Sequence, residues 1–156
     1  MASKLKTASL KVTLKEDIVL NGKNVGGKTE ISFSGIKQAD TRFLNIPTHE
    51  VTILQLSSSA GAGTYTSSSF KYARITNLDD TNFLNLAFVS GSNNDGAEKS
   101  NRYNIKLEAG MSHMFFNNDL SGSAQGSNFT KFTGFNSISA FASTASIDTE
   151  IFVATT

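Results

Sequence analysis

Residues 8–15 read ASLKVTLK, and the period of two in them decides the fold. Ala8, Leu10, Val12 and Leu14 alternate with Ser9, Lys11, Thr13 and Lys15, the pattern of a half-buried strand. The same alternation closes the chain, at Ile147, Thr149, Ile151 and Val153. Working outward from the first stretch, Ile18-Val19-Leu20 runs into Asn21-Gly22, a strong hairpin-turn dipeptide. Gly26-Gly27 is a second break, and Ile31 and Phe33 alternate with polar residues in a strand expected to end at Gly35. Further strands are expected over Arg42–Ile46, Val51–Leu56, Phe70–Thr76, Phe83–Val89, Arg102–Leu107 and Ser112–Phe116.

Nothing in the chain carries a helical stripe over the roughly eleven residues that one needs. The reading is a single all-β domain over residues 1–156: an antiparallel β-sandwich or jelly roll of about nine or ten short strands. Three long polar loops separate the strands, at 57–69 (SSSAGAGTYTSSS), 90–101 and 117–128. Loops of that length tend to be functional or to form contacts. The first and third are expected to be mobile in the isolated protein, and in the first only Tyr65 has anything to bury.

Composition supports a packed but unusually neutral domain. Leu, Ile, Val and Phe make 40 of the 156 residues, enough for a core. Ser, Thr, Asn and Gly make 63, and charged residues only 17%. With no cysteine, disulfides, zinc fingers, iron–sulfur clusters and thiol nucleophiles are excluded. No apolar run exceeds four residues, as in Leu86–Val89, so no membrane helix is expected. The lysine-bearing N-terminus lacks the apolar stretch of a secretory signal. A net charge of +1 argues against general nucleic-acid binding. The charge is segregated: residues 1–37 carry seven lysines against three carboxylates, and residues 38–156 carry seven cations against ten carboxylates. Residues 1–7, with Lys4 and Lys6, read as an extended basic arm able to reach an acidic neighbour.

No constellation points to catalysis or to a cofactor. His49 and His113 lack the spacing of a metal pair. No serine sits in a nucleophile elbow, since Gly122-Ser123-Ala124-Gln125-Gly126 places it one residue early. Asp79-Asp80 reads as turn chemistry, not as a facing carboxylate pair. Asn93-Asn94-Asp95-Gly96 lacks the acidic ladder of a calcium loop, and Gly61-Ala62-Gly63 lacks the helix that would make it a phosphate cradle. No metal, cofactor, catalytic residue or small-molecule substrate is therefore expected. Phe129, Phe132, Phe135, Ile138 and Phe141 recur every three residues. Ordinary core explains this, and so does an aromatic contact around a threefold axis. Lys4, Lys6, Phe129, Phe132, Phe135 and Phe141 are the candidate partner contacts, with a homo-oligomer, favoured as a trimer, as the expected assembly.

Three segments carry a family resemblance: 12–27 (VTLKEDIVLNGKNVGG), 72–83 (YARITNLDDTNF) and 105–117 (IKLEAGMSHMFFN). In order and spacing, over about residues 10–120, they resemble small structural proteins of tailed-phage virions, especially marine ones. The resemblance implies an all-β particle component without cofactor or catalytic residues. Its function is then expected to be that of a capsid decoration or cement protein on the outer shell, with the major capsid protein or another virion protein as partner. A tail or head–tail connector component is the alternative, and a carbohydrate-binding β-sandwich a second. The expected location is the virion, assembled in the host cytoplasm, with no nucleic-acid or membrane partner.

Overall fold

A computed structural model describes residues 6–90, 101–116 and 134–156. Among them the strands are, in chain order, β1 (Ala8–Lys15), β2 (Val19–Leu20), β3 (Lys23–Asn24), β4 (Lys28–Ile36), β5 (Gln38–Ile46), β6 (Val51–Ser57), β7 (Thr64–Thr66), β8 (Phe70–Asn77), β9 (Leu84–Ser90), β10 (Asn101–Leu107), β11 (Ser112–Phe115), β12 (Ser137–Ala142) and β13 (Ile147–Thr155). A 3₁₀ turn at Ser67–Ser69 is the one helical element among the described residues. The protein is all-β, as expected, and its sheets are antiparallel apart from one short pairing.

Two sheets form the body. One has the order β10-β9-β12-β6-β7 and the other β11-β8-β13-β5. Their facing sides bury Ile46, Leu54, Ile75, Leu84, Leu86, Phe88, Ile138, Ile147 and Ile151 in a single core. Alternation supplies this directly: in β13, Ile147, Thr149, Ile151 and Val153 all point inward. Ile75, Leu84 and Leu86 enter the core by the same alternation.

β1 departs from its expected role. It joins neither body sheet but pairs with β4 as a separate two-stranded ribbon, capped by the β2–β3 hairpin. Only Leu10 and Val12 of its apolar row are part-buried; Leu14 is exposed. Period two marks which face is apolar, but it does not say what covers that face. The hairpin at the tip forms as expected. Asn21 and Gly22 both take positive φ, 51° and 78°, which a two-residue turn between twisted strands requires.

Gly35 does not end its strand. Between the pairs Leu10↔Phe33 and Ala8↔Ile36, β4 carries one extra residue, and Gly35 at φ 74° absorbs it as a bulge. The chain then passes Lys37, whose amide bonds the Thr155 carbonyl at 2.9 Å, and re-forms as β5.

The 57–69 stretch is also more ordered than its composition suggests. Leu56↔Tyr65 is the centre of a parallel pairing between β6 and β7, and Tyr65 is buried. The serines around it serve the backbone: the Ser67 hydroxyl donates to the Ser57 carbonyl at 3.2 Å, and that of Ser69 to the Thr66 carbonyl at 3.0 Å. Hydroxyls that satisfy main-chain acceptors let a low-complexity stretch fold without an apolar core of its own. The expectations for the loops at 90–101 and 117–128 fall almost entirely outside the described residues.

Candidate interaction surface

The ribbon has two faces of opposite chemistry. Its pairs Leu10↔Phe33 and Val12↔Ile31, followed by Leu14, set one apolar row. The pairs Lys11↔Ser32, Thr13↔Glu30 and Lys15↔Lys28 set the other face. There Glu30 accepts from Lys11 at 2.7 Å and from Lys28 at 2.5 Å, and Lys15 meets Asp17 at 2.6 Å. The two ammonium groups hold the Glu30 carboxyl below its usual pKa. These pairs are solvent-exposed, so they set orientation and solubility more than stability.

The apolar face is used at the base and left open beyond it. At the base, Phe33 stacks on Phe116 with centroids 5.9 Å apart and lies 6.4 Å from Tyr72. Tyr72 in turn packs on Phe116 and Phe152, on the outer side of the β11-β8-β13-β5 sheet. Leu10, Val12 and Met114 complete this second cluster around Ile36, Tyr72 and Ala154. Past it, Leu14 and Ile31 continue the row, and Ile18, Val19, Leu20 and Val25 crowd the tip, all exposed; Val19 shows 71% of its surface. The tip is nonetheless held in one shape. The Glu16 amide bonds the Gly27 carbonyl, and the Val25 amide the Ile18 carbonyl, both at 2.8 Å. Gly26 passes so close to the Glu16 carbonyl that an added Cβ would stand 1.7 Å from its oxygen. Glycine is required there by the close backbone approach, not by a positive φ.

The candidate contacts named from the sequence separate into three groups. Lys6 is exposed just before β1. Lys4, Phe129 and Phe132 lie outside the described residues. Phe135 is a core residue, 2% exposed, packed 5.1 Å from Phe88 and 5.4 Å from Phe115, and is therefore not available to a partner. Ile138 is likewise fully buried, whereas Phe141 on the outer side of β12 is 37% exposed. A step of three along a strand changes face each time. Phe135 escapes that rule only because it precedes β12, so the recurrence draws no common surface through Phe135, Ile138 and Phe141. The exposed ribbon tip was missed because its residues fall in three short pieces, 14, 18–20 and 25, which only the hairpin brings together.

The polar constellations resolve into structural roles. The Asp79 carboxylate accepts from the amides of Asn82 at 2.6 Å and Thr81 at 2.8 Å, which hold its pKa below the usual value. Asp79-Asp80 is thus turn chemistry, as expected. Arg42 lies between the sheets, donating to the Ile53 carbonyl at 2.9 Å and pairing with Asp40 at 3.5 Å. Asp40 also accepts the Tyr65 hydroxyl at 2.6 Å. Burial first, and then that bond, push the Tyr65 pKa up to about 12. The trio fastens β7 onto the body. Among the described residues, no three His, Cys, Asp or Glu side chains converge on a metal position, and no helix is long and apolar enough to cross a membrane.

His113 is half-buried with its ring edge on Phe88, at 5.6 Å, and burial lowers its pKa from the ordinary 6.5. The unfolded chain then binds the proton more readily than the folded one. Stability is expected to fall as pH drops below about 6.5 and to level off below the folded value. Urea midpoints at about pH 7.5 and 5.5 check this: the native chain should lose midpoint on acidification, and His113→Phe should lose less.

No protein-family model matches the chain, and no curated protein matches it. Among solved structures, a chain described under "Bacillus endospore appendages form a novel family of disulfide-linked pili" is similar, with a TM-score of 0.44 and 10% identity over 99% of this chain and 92% of that one.

Proposed function

We propose that this chain is a non-enzymatic structural subunit of a tailed-phage virion, a decoration protein held on the outer capsid shell among repeated copies of itself. The observation that carries a structural role is the ribbon: a rigid, backbone-stapled hairpin that leaves its apolar face open beyond the body. Contiguous exposed apolar surface of this kind marks a protein–protein contact. The particle setting comes from the resemblance of segments 12–27, 72–83 and 105–117, the first of which covers the outer half of β1 and the hairpin at the ribbon tip. The basic arm at residues 1–7 precedes the first strand, and we assign its lysines, Lys4 and Lys6, to an acidic patch of the shell protein.

Sedimentation of purified phage particles with added chain tests this. The full chain should bind saturably, and a chain lacking residues 1–7 should bind less well while its thermal midpoint stays put. Added salt should weaken attachment only in part, because charged residues make up only 17% of the chain and its surface is mostly neutral and polar. Particles that carry no copy of the chain, and bind it no better than an unrelated β-domain, would refute the assignment. Labelling confined to tails would move it to the tail or connector.

A further inference from the structure

Building on the reading of this chain as a subunit among repeated copies, we infer that the ribbon tip docks on the far end of a second copy, in a head-to-tail contact. The tip presents Val19, Leu20 and Val25 together with Lys23, which makes no ion pair among the described residues. The ribbon is anchored at one end of the body, where Lys37 bonds Thr155. At the other end of β13, about 26 Å away at the usual rise per residue, lies a surface of matching chemistry.

That surface exposes Leu78 and Met111, set among Asp79, Asp80 and Asp148. It is preformed. The Leu78 amide bonds the Asp148 carbonyl at 2.9 Å, the Gly110 amide the Asp79 carbonyl at 3.0 Å, and the Asn77 amide the Met111 carbonyl at 3.0 Å. Lys106 near this end is already paired with Glu108 at 2.6 Å, and Asp80 pairs with no cation among the described residues. So, among the described residues, the ribbon offers apolar side chains with a cation that meets no carboxylate, and the far end offers apolar side chains with Asp80, which meets no cation. The segregation of charge says the same at longer range: residues 6–37 carry six lysines against three carboxylates, while residues 38–156 carry an excess of three carboxylates. Two copies therefore attract when ribbon faces far end and repel when like ends meet.

A lipid surface is the rival occupant for a basic, apolar hairpin tip. From Ile18 to Val25 the tip carries Lys23 as its single cation, short of the cluster of about four or more basic residues that holds a segment on anionic headgroups. Because the two surfaces differ, the contact is heterologous, and repetition closes a ring or extends a filament.

Analytical ultracentrifugation of the full chain over about three decades of concentration tests the inference. The native chain should associate reversibly. Lys23→Glu and Asp80→Lys should each raise the dissociation constant about tenfold. Mixing those two variants should restore association, since every ribbon then meets a complementary end. Val19→Asp/Leu20→Asp should associate least while its thermal midpoint stays unchanged, both side chains being exposed. A native chain that stays monomeric throughout, or association that none of these variants alters, overturns the inference. So does a monomeric chain that sediments with phosphatidylserine vesicles through Val19 and Leu20. A monomeric chain that still binds particles would sink the head-to-tail contact and leave the virion assignment standing; association without particle binding would do the reverse.

Discussion

Phe88→Ala is expected to cost about 4 kcal/mol, the largest loss of any single truncation in the body. Phe88 is 2% exposed on β9, which lies between β10 and β12. Its ring meets Phe115 edge-on at 5.6 Å and Phe135 at 5.1 Å, with His113 and Tyr103 beside it. Those partners come from β11, from β10 and from the segment before β12, so the ring joins the two sheets at one point. Removing it leaves a cavity that rigid sheets on both sides cannot close. At about 3 °C per kcal/mol for a chain of this size, the thermal midpoint should fall by about 12 °C. Phe141→Ala, on the outer side of β12, should cost about 1 kcal/mol or less. Urea unfolding of the two variants checks the contrast, and a Phe88→Ala loss below that of Phe141→Ala would show that the core is not centred where the packing puts it.

The sequence made the body legible and the ribbon only half so. β8, β9 and β13 are readable because their inward residues are apolar, with exceptions such as Asn77 and Thr149, while most of their outward ones are not. Asn21-Gly22 is readable because few other dipeptides accept positive φ at both positions. The row Ala8, Leu10, Val12, Leu14 has the same period, yet both of its ends, Ala8 and Leu14, meet solvent. A face that covers a neighbouring molecule and a face that covers its own core are written in the same alphabet. The aromatic recurrence misled for a related reason. Spacing along the chain says nothing about facing until a segment's conformation is known, and Phe135 and Phe141 belong to different local conformations. The 57–69 stretch was unreadable because its order comes from hydroxyl–carbonyl bonds and from one pairing with β6, neither of which leaves an apolar pattern.

Asn77→Ala is expected to cost about 3 kcal/mol, although it removes no apolar surface. Asn77 ends β8 and is fully buried. Its amide nitrogen donates to the Asn82 carbonyl at 2.8 Å and to the Leu107 carbonyl at 3.2 Å, and its amide oxygen accepts from the Asp79 amide at 3.0 Å. One side chain thus ties the four-stranded sheet to the end of β10 in the other sheet, and fixes the 78–82 turn between them. Alanine leaves two carbonyls and one amide without that partner, and a buried polar group left unsatisfied costs about 1–3 kcal/mol. Water reaching the turn offsets part of this, which is why the expectation lies well below three full penalties. Asn77→Asp separates hydrogen bonding from packing, because it keeps the shape and the acceptor for Asp79 but turns the donor into an oxygen facing two carbonyls. Those carbonyls oppose ionisation, so the introduced carboxyl should titrate above its unfolded value. A folded pKa that is raised means stability present at low pH and lost as pH rises through it. Urea midpoints should therefore place Asn77→Asp nearest the native chain at about pH 4 and furthest from it at about pH 7. A pH-independent deficit equal to that of Asn77→Ala would mean that Asn77 acts by filling space and not by the bonds it donates.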